Sequence, residues 1–128
     1  MNIIQINPNH YFPCSPKITT YGFTPLMYLV NNARDHPEYL DQIKYILDNN
    51  PEELDKINNA GWTALMISCR NSNTTSTLDT VRLLLRYNPD VNASRYDGEN
   101  ILSISVSYSN TDSSYETVKL LLDHGADI

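Results

Sequence analysis

The sequence has little of what most specific chemistry requires. Its 128 residues include two cysteines, one tryptophan and four glycines, with nine Lys and Arg against fifteen Asp and Glu. Cys14 and Cys69 are too few for a disulfide framework and suit a reducing, cytosol-like compartment. The basic residues are scattered, with no Lys/Arg run, and the formal net charge is −6. That balance excludes a nucleic-acid surface, which needs clustered cations against phosphate. No apolar run reaches membrane-spanning length, and the start lacks the basic-then-apolar pattern of a secretory signal. A soluble, intracellular, cytoplasmic address is therefore the expectation, with no membrane partner. No Gly-rich phosphate loop is present.

Catalytic and metal-binding patterns are also missing. Cys14 has no His or second Cys at ligand spacing, and His10 and His36 stand without companions. Serines recur at Ser103, Ser105, Ser107 and Ser109, yet no base or orienting acid can be assigned to any of them. Asp123-His124-Gly125-Ala126-Asp127 has the look of a metal motif. It reads better as a helix end, with Gly125 left-handed and His124 at the negative pole of the helix. Asn73-Thr74-Thr75 and Asn92-Ala93-Ser94 match the glycosylation pattern, which matters only after secretion. The expectation is a protein with no catalytic residues, no cofactor and no metal.

What is present is a repeat. The chain is 41% apolar and 19% charged, a composition that folds, and its length suits one domain. Gly22-Phe23-Thr24-Pro25-Leu26 returns as Gly61-Trp62-Thr63-Ala64-Leu65, then as Gly98-Glu99-Asn100-Ile101-Leu102. The offsets are 39 (61 − 22) and 37 (98 − 61). A second stripe recurs with it: Leu40, Ile43, Ile46 and Leu47; Leu78, Val81, Leu84 and Leu85; Tyr115, Val118, Leu121 and Leu122. Agreement at four positions in three copies marks a repeat array of helix pairs.

Local chemistry supports this reading. Gly22 permits positive φ at a turn, Thr24 suits an N-cap, and Pro25 suits the first helical position. Leu26, Leu29 and Val30 then share one helical face. Asp35 and Glu38 resemble a capping box for the second helix. In the middle copy Thr63 caps and Leu65, Ser68 and Cys69 face inward; Asn100 is the cap of the third copy. The stripes predict that Leu84 packs between the layers of Ile46 and Leu121. Residues 1–19, with Ile3, Ile4 and Ile6 ahead of Pro8, Pro13 and Pro16, read as an extended N-terminal arm outside the repeat. Its apolar start is expected over the end of the first copy.

Gly-Phe-Thr-Pro-Leu, Gly-Trp-Thr-Ala-Leu and the closing Thr117-Val118-Lys119-Leu120-Leu121-Leu122-Asp123-His124-Gly125-Ala126-Asp127 resemble the ankyrin repeat. The resemblance covers residues 20–128, in copies of about 20–57, 58–94 and 95–128. It implies an all-α solenoid of helix-turn-helix units with a β-hairpin projecting from each pair. The family unit is about 33 residues, so each copy here carries an insert, placed at residues 31–39, 70–77 and 107–114. The family's His after Thr-Pro-Leu is replaced by Met27, Met66 and Ser103, implying a lost hydrogen bond near the cap. The wording around the middle insert is similar to ankyrin proteins of giant DNA viruses.

Such solenoids bind proteins on an extended concave face. In the family the residues flanking the turn glycine point outward, and here they are Thr20, Tyr21 and Phe23, then Asn59, Ala60 and Trp62, then Tyr96, Asp97 and Glu99. Four of these nine are aromatic against 9% of the whole chain, which concentrates contact-rich side chains where a partner docks. Met66 and Arg70 are expected to extend the patch. The expected partner is a protein, a host protein for a viral chain. Two other readings are a spacer cut from a longer array and a substrate adaptor for a ubiquitin ligase. Since the sequence stops at Ile128, where another hairpin is due, it also predicts either further repeats or self-association through Leu120, Leu121 and Leu122.

Overall fold

Three capped turns set the positions of three helix pairs. The computed structural model describes residues 22–108 and 115–127. The expected arm at 1–19, together with Thr20 and Tyr21, lies outside the described residues. The first pair is α1 (Pro25–Asn31) and α2 (Tyr39–Asn49), followed by a 3-10 turn at Pro51–Glu53. The second is α3 (Ala64–Arg70) and α4 (Leu78–Leu85), and the third is α5 (Ile101–Ser107) and α6 (Tyr115–Asp123).

The first helix of each pair begins at a side-chain cap. Thr24 Oγ1 accepts the Met27 N–H at 3.2 Å, Thr63 Oγ1 accepts the Met66 N–H at 3.2 Å, and Asn100 Oδ1 accepts the Ser103 N–H at 2.8 Å. The methionines do not lose the reciprocal bond, contrary to expectation. Met27 Sδ accepts the Thr24 N–H at 3.5 Å, and Met66 Sδ accepts the Thr63 N–H at 3.4 Å. A thioether is a weak acceptor, but its flexible stem reaches back to the cap while staying buried. The Asp35–Glu38 box does not form. Glu38 precedes α2 without a side-chain cap bond, and its carboxylate lies 3.2 Å from His36 Nδ1. The His36 ring is stacked on Tyr39 with centroids 4.6 Å apart, holding the segment locally.

The turns are tighter than the expected β-hairpins. Around Gly61 the Asn58 N–H donates to Trp62 O at 3.0 Å, and the Gly61 N–H donates to Asn58 O at 3.0 Å. Around Gly98 the Arg95 N–H donates to Glu99 O at 2.8 Å, beside an isolated antiparallel bridge between Ser94 and Asn100. No strand forms among the described residues. Gly61 has φ +85°, and a Cβ there would lie 3.0 Å from the Tyr96 nitrogen of the next turn. Glycine is thus required twice, for the backbone angle and for the approach of the neighbouring turn.

The helices stack in two rows. Helix α1 packs on α3 and α3 on α5, while α2 packs on α4 and α4 on α6. Each pair also closes internally, so one core runs through all three. Leu84 is fully buried in the cluster that contains Ile46 and Leu121. In the third pair the expected stripe is only partly covered. Leu121 is buried and Val118 half-buried, but Tyr115 is 71% and Leu122 40% exposed. The matching Leu47 and Leu85 are covered because another pair packs beyond them.

The inserts tie neighbouring pairs together. Arg34, between α1 and α2, donates through Nε to Ser76 O at 3.0 Å and through Nη2 to Ser72 O at 3.0 Å. Its backbone N–H donates to Thr75 O at 3.1 Å. Asn71 Nδ2 donates to Asn31 Oδ1 at 3.2 Å, and Ser72 shares a buried 2.7 Å hydrogen bond with Thr117 of α6. The longer period therefore lends each pair a polar clasp on the next. At the far end Gly125 takes φ +94° after α6, and His124 Nδ1 lies 2.8 Å from Leu120 O, as the helix-end reading expects.

Two tests follow from this packing. Leu84→Ala is expected to lower unfolding free energy by roughly 2–5 kcal/mol in a urea titration. A loss below about 1 kcal/mol would contradict its place in the core. The second test concerns Cys69, which is buried in α3; burial pushes its thiol from 9.0 up to about 12. The unfolded thiol ionises above pH 9 while the folded one does not, so stability falls as pH rises from 9 toward 12. By pH 10 the Cys69 share of that loss is on the order of 1 kcal/mol. Denaturation of the wild type and Cys69→Ala between pH 8 and pH 10 should show the flatter slope in the variant.

Candidate functional site

The side chains around the turns and the first-helix row form one open cleft. Phe23, Asn31, Asn58, Ala60, Trp62, Ile67, Arg70 and Asn71 line it, enclosing about 650 Å³. Phe23 and Trp62 reach it from successive turns, and Ile67 and Arg70 reach it from α3. Its lining combines the apolar side chains of Phe23, Ala60, Trp62 and Ile67 with three asparagines and one arginine. Asn58 shapes the cleft, because its Oδ1 accepts the N–H groups of both Ala60 and Trp62 at 2.9 Å. This fixes the turn that carries the indole.

Two arginines are seated on aromatic rings. The Arg70 guanidinium lies 4.1 Å from the centroid of Tyr108, and its Nη1 donates to Asn71 Oδ1 at 2.8 Å. The Arg95 guanidinium lies 4.6 Å from the centroid of Trp62. Arg95 Nη2 also pairs with Asp97 Oδ2 at 2.7 Å and with Glu99 Oε1. Its charge is therefore balanced within its own turn.

The expected site residues divide into four groups. Phe23, Trp62 and Arg70 come together in the cleft. Asn59, Tyr96, Asp97 and Glu99 sit on the turns beside it. The carboxylates are engaged with Arg95, Tyr96 is 73% exposed, and Asn59 packs on Gly22. Met66 is fully buried and presents nothing to a partner, since its sulfur serves the cap of α3. Tyr21 lies outside the described residues. Sequence reasoning missed Arg95, Tyr108, Asn31, Asn58 and Asn71. Arg95 carried a visible signal, an arginine two and four residues before Asp97 and Glu99 in one turn.

The model for ankyrin repeats matches residues 33–128. The chain belongs to the ankyrin-repeat family. Three curated relatives are ankyrin repeat proteins of Acanthamoeba polyphaga mimivirus. One is 36% identical over 95 residues, another 32% over 102, and a third 37% over 94. These alignments cover 74%, 76% and 73% of this chain, but only 15%, 16% and 16% of the relatives. The chain thus spans about one sixth of the length of the curated relatives it matches. Ankyrin repeats are, as a family, non-enzymatic protein–protein interaction modules. Among the described residues no helix is long and apolar enough to cross a membrane.

The arginine–indole contact is directly testable, because Trp62 is the one tryptophan in the sequence. Arg95→Ala is expected to shift Trp62 emission to the red and to increase its quenching by acrylamide. The accompanying stability loss should be about 0.5–1 kcal/mol. Unchanged emission would mean that Arg95 does not cover the ring in solution.

Proposed function

We propose that this ankyrin-repeat chain binds a protein partner in the cleft between its turns and first helices, with Phe23, Trp62 and Arg70 as the main contacts. The supporting observation is the cleft itself, which combines two half-buried aromatic rings, Ile67 and a stacked guanidinium in one concavity. Aromatic and arginine side chains recur among the residues that dominate interface energies, because they bury large areas with few rotors. The exposed Tyr96 ring and the Arg95 ion pairs form an adjoining rim. For a chain like those of a virus, the natural partner is a host protein and the compartment is the host cytoplasm. A second reading is favoured by the short share of the relatives that the chain covers: the module works as one segment of a longer array.

Affinity capture from amoebal cytosol, followed by titration of the captured protein, tests the proposal. Trp62→Ala is expected to weaken binding by about 2 kcal/mol or more, while the folded state loses about 1 kcal/mol with the Arg95 contact and stays populated. Lys119→Ala, on the exposed side of α6, should leave binding unchanged. Loss of folding in Trp62→Ala, with undiminished binding per folded molecule, would assign the indole to the core and remove the site.

A further inference from the structure

The three asparagines of the cleft differ in what they have left to offer. Asn58 Oδ1 is taken by its turn, accepting the N–H groups of Ala60 and Trp62 at 2.9 Å. Asn31 Oδ1 is taken as well, accepting Asn71 Nδ2 at 3.2 Å and the Thr75 hydroxyl at 3.4 Å. Asn71 is engaged at both ends of its amide. Its Oδ1 accepts Arg70 Nη1 at 2.8 Å, and its Nδ2 also donates to Ile67 O at 3.2 Å. Arginine only donates, so it fixes the sense of the Asn71 amide, which in turn fixes that of Asn31. Among the described residues, every side-chain hydrogen bond of Asn31 and Asn58 thus ends on oxygen, leaving each an NH2 group to offer. Asn58 is only 7% exposed, so its NH2 has little access to solvent except through the cleft that it lines.

We propose that the cleft reads the main chain of its partner, taking an extended, uncharged apolar segment whose backbone carbonyls accept from Asn58 Nδ2 and Asn31 Nδ2. This rests on the cleft being the docking site and adds the chemistry of what enters it. Spacing favours a peptide over a small anion. Asn58 lies in the turn ahead of α3, whereas Asn31 is held at the far end of that helix by Asn71, its C-cap. Seven helical residues span about 10 Å, the reach of roughly three residues of extended chain. A single carboxylate cannot meet both donors across that distance; carbonyls spaced along an extended chain can. Phe23, Trp62 and Ile67 lie in the same lining and offer apolar contact to the side chains between those carbonyls. Charge points the same way. A chain of net −6 repels an acidic segment, while a basic one would face amide donors and the Arg70 guanidinium.

Titration of the isotope-labelled full chain with the neutral peptide acetyl-Gly-Leu-Phe-Gly-amide, followed by NMR, tests the proposal. The side-chain NH2 resonances of Asn31 and Asn58 should shift together with the Trp62 indole N–H, saturating at about 1–10 mM. Asn31→Asp and Asn58→Asp keep the oxygen that serves the fold and replace the donor by an acceptor. Each should weaken the peptide by about tenfold or more with an unchanged circular dichroism spectrum. Should either variant unfold, the NH2 shifts of the wild type decide. Peptide affinity unchanged by both substitutions, or an indole shift without either NH2 shift, would overturn the inference. The cleft itself would survive that result if Trp62→Ala still weakens the peptide. Tighter binding of isocaproate than of the peptide would assign the donors to a carboxylate and also overturn it. Absence of saturation by about 10 mM counts against it too, and the titration of the captured partner then judges the cleft separately. Peptide binding that is indifferent to Trp62→Ala would remove the cleft and this inference together.

Discussion

The structure depends on one constraint: no helix pair here can cover its own apolar face. A seven-residue helix such as α1 or α3 is too short to be stable alone in water. It persists because Leu26, Leu29 and Val30, or Leu65 and Cys69, are shielded by the pair that follows. Cohesion is thus a sum over neighbours, and a pair flanked on both sides is the best protected. The positions that face the following pair show this dependence, buried in the first two pairs and partly exposed in the third.

Polar contacts decide how the pairs are spaced. The threonine and asparagine caps set where each first helix starts. Buried methionine sulfurs close two of those caps without bringing a charged or strongly solvated group into the core. On the side of the inserts, Arg34 satisfies three carbonyl oxygens of the next pair through backbone and side chain. Beside the second helices, Asp55 Oδ1 accepts the Asp90 N–H at 3.2 Å, and Asn92 Oδ1 accepts the Asp127 N–H at 2.9 Å. Equivalent residues therefore repeat one bond at each junction. The turns are then free to differ, and their differences build the cleft.

The fold was legible because its signals repeat. A stripe of Ile43, Ile46 and Leu47 is ambiguous alone, but its return as Val81, Leu84 and Leu85 fixes period and facing together. The caps at Thr24, Thr63 and Asn100 were legible for the same reason. Contacts between repeats were less so. Position-by-position reading treats Met66 as an outward residue, while its sulfur is used one turn back within its own helix. The expected hairpins reduce to tight turns, because each turn makes too few cross-chain bonds for a strand. In the site, Phe23, Trp62 and Arg70 were legible from their offsets to the glycine. Arg95 and Tyr108 were not, since their roles arise only when turns and helices from different copies stack.

Amide hydrogen exchange resolved by helix tests neighbour-derived cohesion most directly. The account predicts that α3, flanked by α1 and α5, holds the slowest amides and exchanges only with global unfolding. Protection should fall toward α5 and α6, where Val106 and Leu122 are exposed. Uniform protection across all six helices, or faster exchange in α3 than in α5, would contradict it.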